Sequence, residues 1–156
     1  MKFVYEEELV SAFWSKYKTR KEILAYQFEC PIRKGSADLV TVELNKSGEI
    51  EFNAFEFKKD DIEKAVAQAQ ENVKYCHKSF IVIPIAKKDI FMKRYNSILY
   101  KNYPHVGCMG VDLDGTYSII KYSVPQQSAD VEMSDTMLKL CCGIIGKANP
   151  RKEYKL

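Results

Sequence analysis

The chain has 156 residues, of which 46% are hydrophobic and 29% are charged, and its formal net charge at pH 7 is +3. This length and composition favour one globular domain with a buried core. No apolar run approaches the about 20 residues that span a membrane. The N-terminus lacks the features of a signal peptide, so we expect a cytoplasmic protein without a membrane partner. The five cysteines include no CxxC pair, which predicts reduced, mostly buried thiols and argues against a zinc cage or a disulfide framework.

The first predicted element is an amphipathic helix over residues 5–18. Apolar residues recur there at the helical interval, namely Leu9, Val10, Phe13, Trp14 and Tyr17. Three acids, Glu6 to Glu8, precede them and complement the positive end of the helix dipole. Glu6 differs from the other two acids because the first three apolar residues follow it at helical spacing. We therefore expect Glu6 on the buried face.

A first strand is predicted from Tyr26 to Arg33, and a polar loop follows it. The loop reads Arg33-Lys34-Gly35-Ser36 and leads directly to Asp38. A plain turn explains this composition. Alternatively, if a metal site lies beside the loop, Arg33, Lys34 and Ser36 are candidates for contacting a phosphate backbone.

A hairpin is predicted next, with strands over Ala37–Leu44 and Glu49–Lys58 and a turn over Asn45–Gly48. One face of its second strand is apolar until its last two members, Glu56 and Lys58. Burying an acid and a base is costly unless they pair or bind something. Asp38 lies near the same open end of the hairpin, and two carboxylates with a lysine suit Mg²⁺. The alternative is a surface ion pair between Glu56 and Lys58, which would contribute little.

A helix is predicted after Lys58, with Asp60 as its N-cap and Glu63 three residues later. Its buried face is marked by apolar residues at helical spacing, namely Ile62, Ala65, Val66, Ala69, Val73 and Cys76. Gln68 lies at the shoulder of this face, whereas Gln70 belongs to the solvent side. Gln68 therefore either faces the site or is an ordinary glutamine on the helix surface.

The remaining elements complete an α/β pattern. The apolar run 79–84 predicts a strand buried on both faces and paired in parallel with the hairpin. A second crossover helix is expected over 88–101, with Phe91, Tyr95, Ile98 and Leu99 facing inward. A last hairpin turns at Asp114-Gly115. Residues 125–133 read as a linker, and Ser134 caps a short helix that reaches about Lys147. We thus divide the chain into a domain over 1–124 and a C-terminal linker and short helix over 125–156, packed on the same domain.

Asp38 with the Glu56-Phe57-Lys58 triplet resembles the motif of the PD-(D/E)xK nuclease superfamily, with Ala37 in place of the proline. The resemblance covers roughly residues 5–122. It implies a restriction-endonuclease-like mixed β-sheet flanked by helices, in the order helix, three strands, helix, strand, with an added C-terminal hairpin and short helix.

The same resemblance implies roles for individual residues. Asp38 and Glu56 would bind Mg²⁺, or Mn²⁺ as a substitute, and Lys58 would orient or activate the attacking water. Glu6 would join the metal site, as the corresponding glutamate does in many archaeal Holliday-junction resolvases. Gln68 would face the site, as a glutamine does in many members.

Three functions are left open by the sequence. The first is a Mg²⁺-dependent nuclease that hydrolyses DNA phosphodiester bonds in repair, recombination or mobile-element or phage DNA processing. The second is a catalytically inactive, nuclease-like DNA-binding or assembly protein. The third is a purely structural role for Glu56 and Lys58. A homodimer is one way to supply two sites for cutting two strands, and the tail after Pro125 is its candidate interface.

Overall fold

A computed structural model describes residues 2–143 as an α/β fold built on one mixed, open β-sheet of six strands. The strands lie side by side in chain order, and helices cover both faces of the sheet. The strands are β1 (Ile23–Cys30), β2 (Ala37–Leu44), β3 (Ile50–Phe57), β4 (Lys78–Pro84), β5 (Val106–Val111) and β6 (Tyr117–Lys121). The helices are α1 (Glu6–Tyr17), α2 (Ile62–Asn72), α3 (Lys88–Arg94), α4 (Asn96–Asn102) and α5 (Asp135–Cys141).

Strand directions follow from the lengths of the connections. Short turns join β1, β2 and β3 into an antiparallel meander, and β5 and β6 into an antiparallel hairpin. The α2 crossover makes β4 parallel to β3, and the α3–α4 crossover makes β5 parallel to β4. The predicted order of elements, one helix, three strands, one helix and a fourth strand, is therefore confirmed.

Each face of the sheet has its own apolar layer, because neighbours along a strand point to opposite sides. Phe55 and Phe57 of β3 pack under α1, where they meet Phe13. On the opposite face, α2, α3 and α4 cover a layer that includes Ile81 of β4. Met137 and Leu140 of α5 pack on that second face near β1, in a cluster that also contains Ala54. The candidate residue Glu56 follows Ala54 by two positions and therefore points toward the α2 side.

The β2–β3 pairing positions the candidate site. Asn45 accepts backbone hydrogen bonds through its side chain from Ser47 and Glu49, and Gly48 supplies the left-handed conformation that closes the turn. The resulting register sets Leu39 opposite Phe55. One pair further toward the open end, Asp38 lies opposite Glu56, which confirms the prediction that both lie at this end of the hairpin.

Several predicted details are wrong. The helix expected over 88–101 is two short helices that meet at Tyr95, and Ile98 is exposed while Phe91 and Leu99 are buried. The N-cap of α2 is Asp61, whose carboxylate accepts the Lys64 N–H, and not Asp60. β1 runs over Ile23–Cys30 and thus begins and ends before the predicted strand.

Other expectations hold within the described residues. Cys30, Cys76 and Cys108 are buried free thiols, whereas Cys141 and Cys142 are free and exposed. Ser134 accepts the Met137 N–H and caps α5, which ends at Cys141. The prediction that this helix reaches about Lys147 is wrong, because Cys142 is its C-cap and Gly143 follows with a φ of 73°. Residues 144–147 lie outside the described residues. None of the helices within residues 2–143 is both long and apolar enough to cross a membrane.

His77 joins the start of β4 to the C-terminal segment. Its Nδ1 accepts the Phe52 N–H at 2.9 Å, so the proton of the neutral ring is on Nε2, which lies 3.1 Å from the Ser128 hydroxyl. Its carbonyl accepts the Gln126 N–H. Burial lowers the pKa of His77, because protonation would charge a poorly solvated ring and break the bond from Phe52.

We expect His77 to titrate below about 6.5, the ordinary value for histidine. Since the unfolded chain then binds a proton more readily than the folded chain, stability should fall as the pH drops from about 6.5 through the folded pKa. NMR titration of the two histidine rings, assigned with His105→Gln, measures the midpoint. A His77 midpoint at or above the ordinary value would contradict the described hydrogen bond.

Candidate functional site

The candidate site lies at the open end of the β2–β3 hairpin. Asp38 is the second residue of β2, Glu56 is the penultimate residue of β3, and Lys58 follows β3 directly. The Lys58 N–H donates to the Val82 carbonyl of β4, which fixes the backbone at this point. Pairing on both sides thus anchors all three residues to the sheet.

Glu56 is almost completely buried, and its two carboxylate oxygens have different environments. Oε2 accepts from Asn72 Nδ2 at 2.8 Å, from an Arg33 guanidinium nitrogen at 3.3 Å and from the Asp38 N–H at 3.4 Å. Oε1 is equally buried but has no hydrogen-bond partner among the described residues. An oxygen left without a partner in the interior costs free energy, so this atom marks a place for a proton or a cation.

Asp38 faces the same strand end. Its Oδ2 accepts the Phe57 N–H at 2.9 Å. Burial raises the pKa of Asp38, and the negative charge of Glu6 raises it further, while the Phe57 hydrogen bond and the positive charge of Lys58 act in the opposite direction. The charges of Lys58 and Glu6 therefore shift the pKa of Asp38 in opposite directions.

The two carboxylates act on each other. Burial, followed by the negative charge of Asp38, raises the pKa of Glu56 to about 7, although Asn72 and Arg33 stabilise the ionised form. Two neighbouring carboxylates resist ionising together. A divalent cation removes this conflict because it neutralises both charges, which makes the pair chemically suited to Mg²⁺ or Mn²⁺.

Glu43 shows that a buried acid does not by itself make such a site. Its Oε2 accepts from Tyr17, Thr41 and Asn53, and its Oε1 from Arg20 at 3.2 Å. Both oxygens are therefore satisfied by the protein. Glu56 differs from Glu43 in its orphaned oxygen and in its neighbouring acid.

Glu6 reaches the site from α1, but from the surface. Its side chain is 46% exposed, so the prediction that it lies on the buried face is wrong. Its Oε2 lies 3.8 Å from Lys58 Nζ, and its Oε1 accepts the Lys59 N–H at 3.3 Å. Lys58 is itself only 16% exposed. Glu6 is thus placed to orient Lys58.

A cleft of about 340 Å³ opens beside Asp38 and α1. Three further acids line it, namely Glu6, Glu7 and Glu29, together with apolar residues that include Val10 and Phe57. Within residues 2–143, no three His, Cys, Asp or Glu side chains are close enough to hold one metal ion. The predicted three-carboxylate set of Asp38, Glu56 and Glu6 is therefore not formed, and the fit to a cation rests on the first two.

Gln68 lies on α2, one helical turn before Asn72 and on the same side of the helix. It is half-buried, and its Oε1 is buried without a hydrogen-bond partner among the described residues. Gln70 is half-buried as well, so exposure alone does not distinguish the two glutamines. An amide oxygen is an acceptable ligand for a hard cation, so Gln68 remains a candidate of the same chemical kind as Glu56.

The loop before β2 is not the exposed basic loop that the sequence suggested. The Arg33 side chain is only 7% exposed and turns inward, where it contacts Glu56, Asn72 at 2.6 Å and Glu71 at 3.4 Å. Lys34 is exposed, and Ser36 is half-buried with a φ of 61°. A role in nucleic-acid binding stays a prediction for these three residues, but the positive charge of Arg33 is already paired with Glu56 and Glu71.

Asn72 is the functional candidate that the sequence did not reveal. Its amide oxygen accepts from Arg33 Nε and its amide nitrogen donates to Glu56, which closes a ring of three side chains. The available signal was its position four residues after Gln68, because residues at this spacing share a helix face. Arg33 and Asn72 together hold Glu56 by Oε2 and leave Oε1 open.

Comparison with known proteins gives the fold and no activity. No family model matches the sequence, and no curated protein matches it. A solved structure described as the SPO1766 protein of unknown function from Silicibacter pomeroyi is similar, with a TM-score of 0.54 and 14% identity. The match covers 92% of this chain and 88% of that chain. At this identity the similarity shows a shared fold alone.

We expect the Asp38→Asn substitution to lower the pKa of Glu56 from about 7, because the negative charge of Asp38 helps to raise it. NMR titration of the Glu56 side-chain carboxyl carbon in metal-free protein measures the change. Asp112→Asn is the matched control, since Asp112 is exposed beyond β5. Equal Glu56 midpoints in both variants would contradict the coupling.

The Asn72→Ala substitution should destabilise the fold by about 1–3 kcal/mol, because it leaves Arg33 Nε without its acceptor and removes a donor from Glu56. Urea unfolding at neutral pH measures this loss. Asn102→Ala, at the exposed end of α4, provides the comparison and should change stability by less than about 0.5 kcal/mol. Equal effects of the two substitutions would argue against a closed buried ring.

Proposed function

We propose that this protein is a Mg²⁺-dependent nuclease that hydrolyses DNA phosphodiester bonds. One observation carries the proposal: the buried carboxylate of Glu56 and the half-buried carboxylate of Asp38 lie together at one strand end, and a Glu56 oxygen has no partner among the described residues. Acid pairs of this kind, with a lysine beside them, are suited to binding a divalent cation and a substrate phosphate.

The architecture supports the proposal. A helix, three strands, a crossover helix and a parallel strand precede the rest of the sheet, which is the order expected of a restriction-endonuclease-like fold. We infer that the mixed sheet is of this type and that the chain is a small PD-(D/E)xK protein with Ala37 in place of the motif proline.

Each residue has a role in this proposal. Asp38 and Glu56 Oε1 would hold Mg²⁺, with Gln68 Oε1 as a further oxygen ligand. When bound, the metal supplies an activated water and polarises the phosphoryl oxygen. Lys58, a positive charge beside Asp38, orients the water or stabilises the charge that develops on the phosphate. Glu6 contacts Lys58 and restricts its position.

A second candidate function is favoured by the Arg33–Glu56 ion pair. Arg33 supplies a positive charge to Glu56 without any metal, so the residues could serve as a structural network in a nuclease-like DNA-binding or assembly protein that does not cut. Metal binding and cleavage separate the two functions. A cytoplasmic location and a homodimer through the tail after Pro125 stay predictions under either function.

We expect Mg²⁺ and Mn²⁺ to bind the wild-type protein and to lose affinity at least tenfold, an effect of about 1.4 kcal/mol or more, in Asp38→Ala and Glu56→Ala. Isothermal titration calorimetry measures the binding. Glu51→Gln is the matched control, because Glu51 is also a buried acid of β3 but pairs with Lys78 at the other end of the strand. Failure of the wild-type protein to bind either ion would contradict the proposed metal site.

Cleavage of plasmid and branched DNA should require the metal and disappear in Lys58→Ala, whose metal affinity should remain close to that of the wild type. The same preparations serve both assays. Metal binding without cleavage by the wild-type protein would favour the non-cutting alternative, and cleavage that survives the loss of Asp38 would place the chemistry elsewhere.

A further inference from the structure

A second cavity, of about 280 Å³, lies apart from the candidate site. It opens beyond the carboxyl ends of the parallel strands β3, β4 and β5, where Lys59, Pro84 and Asp112 follow or end these strands. In open α/β sheets, ligands bind at the carboxyl ends of the strands, at the point where the strand order reverses. β3, β4 and β5 follow one another without such a reversal, so the case for a ligand rests on the lining of the cavity.

The lining of the cavity combines apolar walls with a basic rim. The charged residues that line it are three lysines, Lys2, Lys59 and Lys87, and two acids, Asp60 and Asp112, and the other lining residues are apolar. Phe3 and Ile85 belong to the apolar set, and Ile90 and Leu113 add exposed apolar surface at the mouth. Such a lining suits a ligand with a flat apolar body and an attached anion.

Asp60 holds two of the ammonium groups together. Its carboxylate lies 2.6 Å from Lys59 Nζ and 3.6 Å from Lys87 Nζ. The hydrogen bond from Lys59, followed by the charges of both lysines, lowers the pKa of Asp60. Two positive charges thus share one negative charge, and each ammonium group has further N–H donors for an incoming anion. The two lysine side chains are only 28% and 33% exposed, which restricts their movement.

The cavity is connected to the candidate site through Lys59. This residue lines the cavity and follows Lys58 in the chain, and its N–H donates to Glu6, which also contacts Lys58. On the loop before β2, the guanidinium of Arg33 is turned inward and paired with Glu56, whereas Lys34 is exposed. Lys59 and Lys87 form a further basic surface, which begins at the residue after Lys58.

We propose that this cavity is a nucleotide subsite: its apolar walls accept a nucleobase, and Lys59 and Lys87 hold the adjoining phosphate. This inference rests on the proposed function, because it assigns the cavity to a nucleotide next to the phosphodiester bond that would be cleaved. Phosphate contacts of this kind position a nucleic acid without reading its sequence. An apolar wall that takes any base is equally tolerant of sequence.

The test measures binding without cleavage. Fluorescence anisotropy of a labelled short single-stranded oligodeoxynucleotide is recorded in EDTA, over a series of salt concentrations. Affinity should fall roughly tenfold in the Lys59→Gln/Lys87→Gln variant, and the slope of log affinity against log salt should become shallower by about 1.4, since each lost single-strand phosphate contact removes about 0.7. Lys93→Gln/Lys101→Gln, on the exposed surface of α3 and α4, removes the same charge and should change neither quantity appreciably.

A second probe tests the apolar walls. An oligomer of the same length and charge that carries abasic sites should bind more weakly than the intact oligomer, and equal affinity would overturn the nucleobase assignment. Equal effects of the two lysine pairs, or no binding by the wild-type protein, would overturn the subsite. Lysine-dependent binding by a protein that cuts no DNA with Mg²⁺ would leave the subsite standing and remove the nuclease activity. Cleavage that is independent of Lys59 and Lys87 would support the nuclease activity and overturn the subsite.

Discussion

The antiparallel pairing of β2 with β3 is the constraint on which the candidate site depends. Leu39 opposite Phe55 fixes the register, because both side chains enter the apolar layer under α1. A slip of one residue would exchange the two faces of the strand and turn these side chains to the opposite face, where α2 and α5 cover a different apolar layer. The free energy of burying these side chains thus also holds Asp38 beside Glu56. The core and the site are specified by one set of contacts.

This coupling explains how a buried acid, Glu56, and a half-buried acid, Asp38, can be kept close together. Isolated, a buried carboxylate is costly, and a pair costs more because the charges repel. Here Asn72 and Arg33 stabilise Glu56 through one oxygen, and the Phe57 N–H stabilises Asp38. These contacts offset part of the cost and leave Oε1 of Glu56 without a partner among the described residues. An acid whose two oxygens both have hydrogen-bond partners, such as Glu43, contributes to the fold. The Glu56 oxygen without a partner would gain one when a proton or a cation binds to it.

The charges around the site are arranged on two sides. Acids line the cleft next to Asp38 and α1, and lysines surround the cavity beyond the carboxyl ends of β3 to β5. Lys58 lies between these regions and contacts Glu6 across the boundary. Under the proposed function, a metal ion would bind on the first side and a phosphate on the second, and the two would meet near Lys58.

The sequence by itself determined the α/β class, the order of the first six elements and the hairpin that brings Asp38 to Glu56, because these follow from local periodicity and turn chemistry. Only the tertiary structure decided the partners of Glu56. Arg33 turned inward, Asn72 joined from α2, and Glu6 reached Lys58 from the surface, since these contacts link residues distant in the chain. Side-chain direction and burial depend on the packing of separate elements, and local spacing does not contain that information.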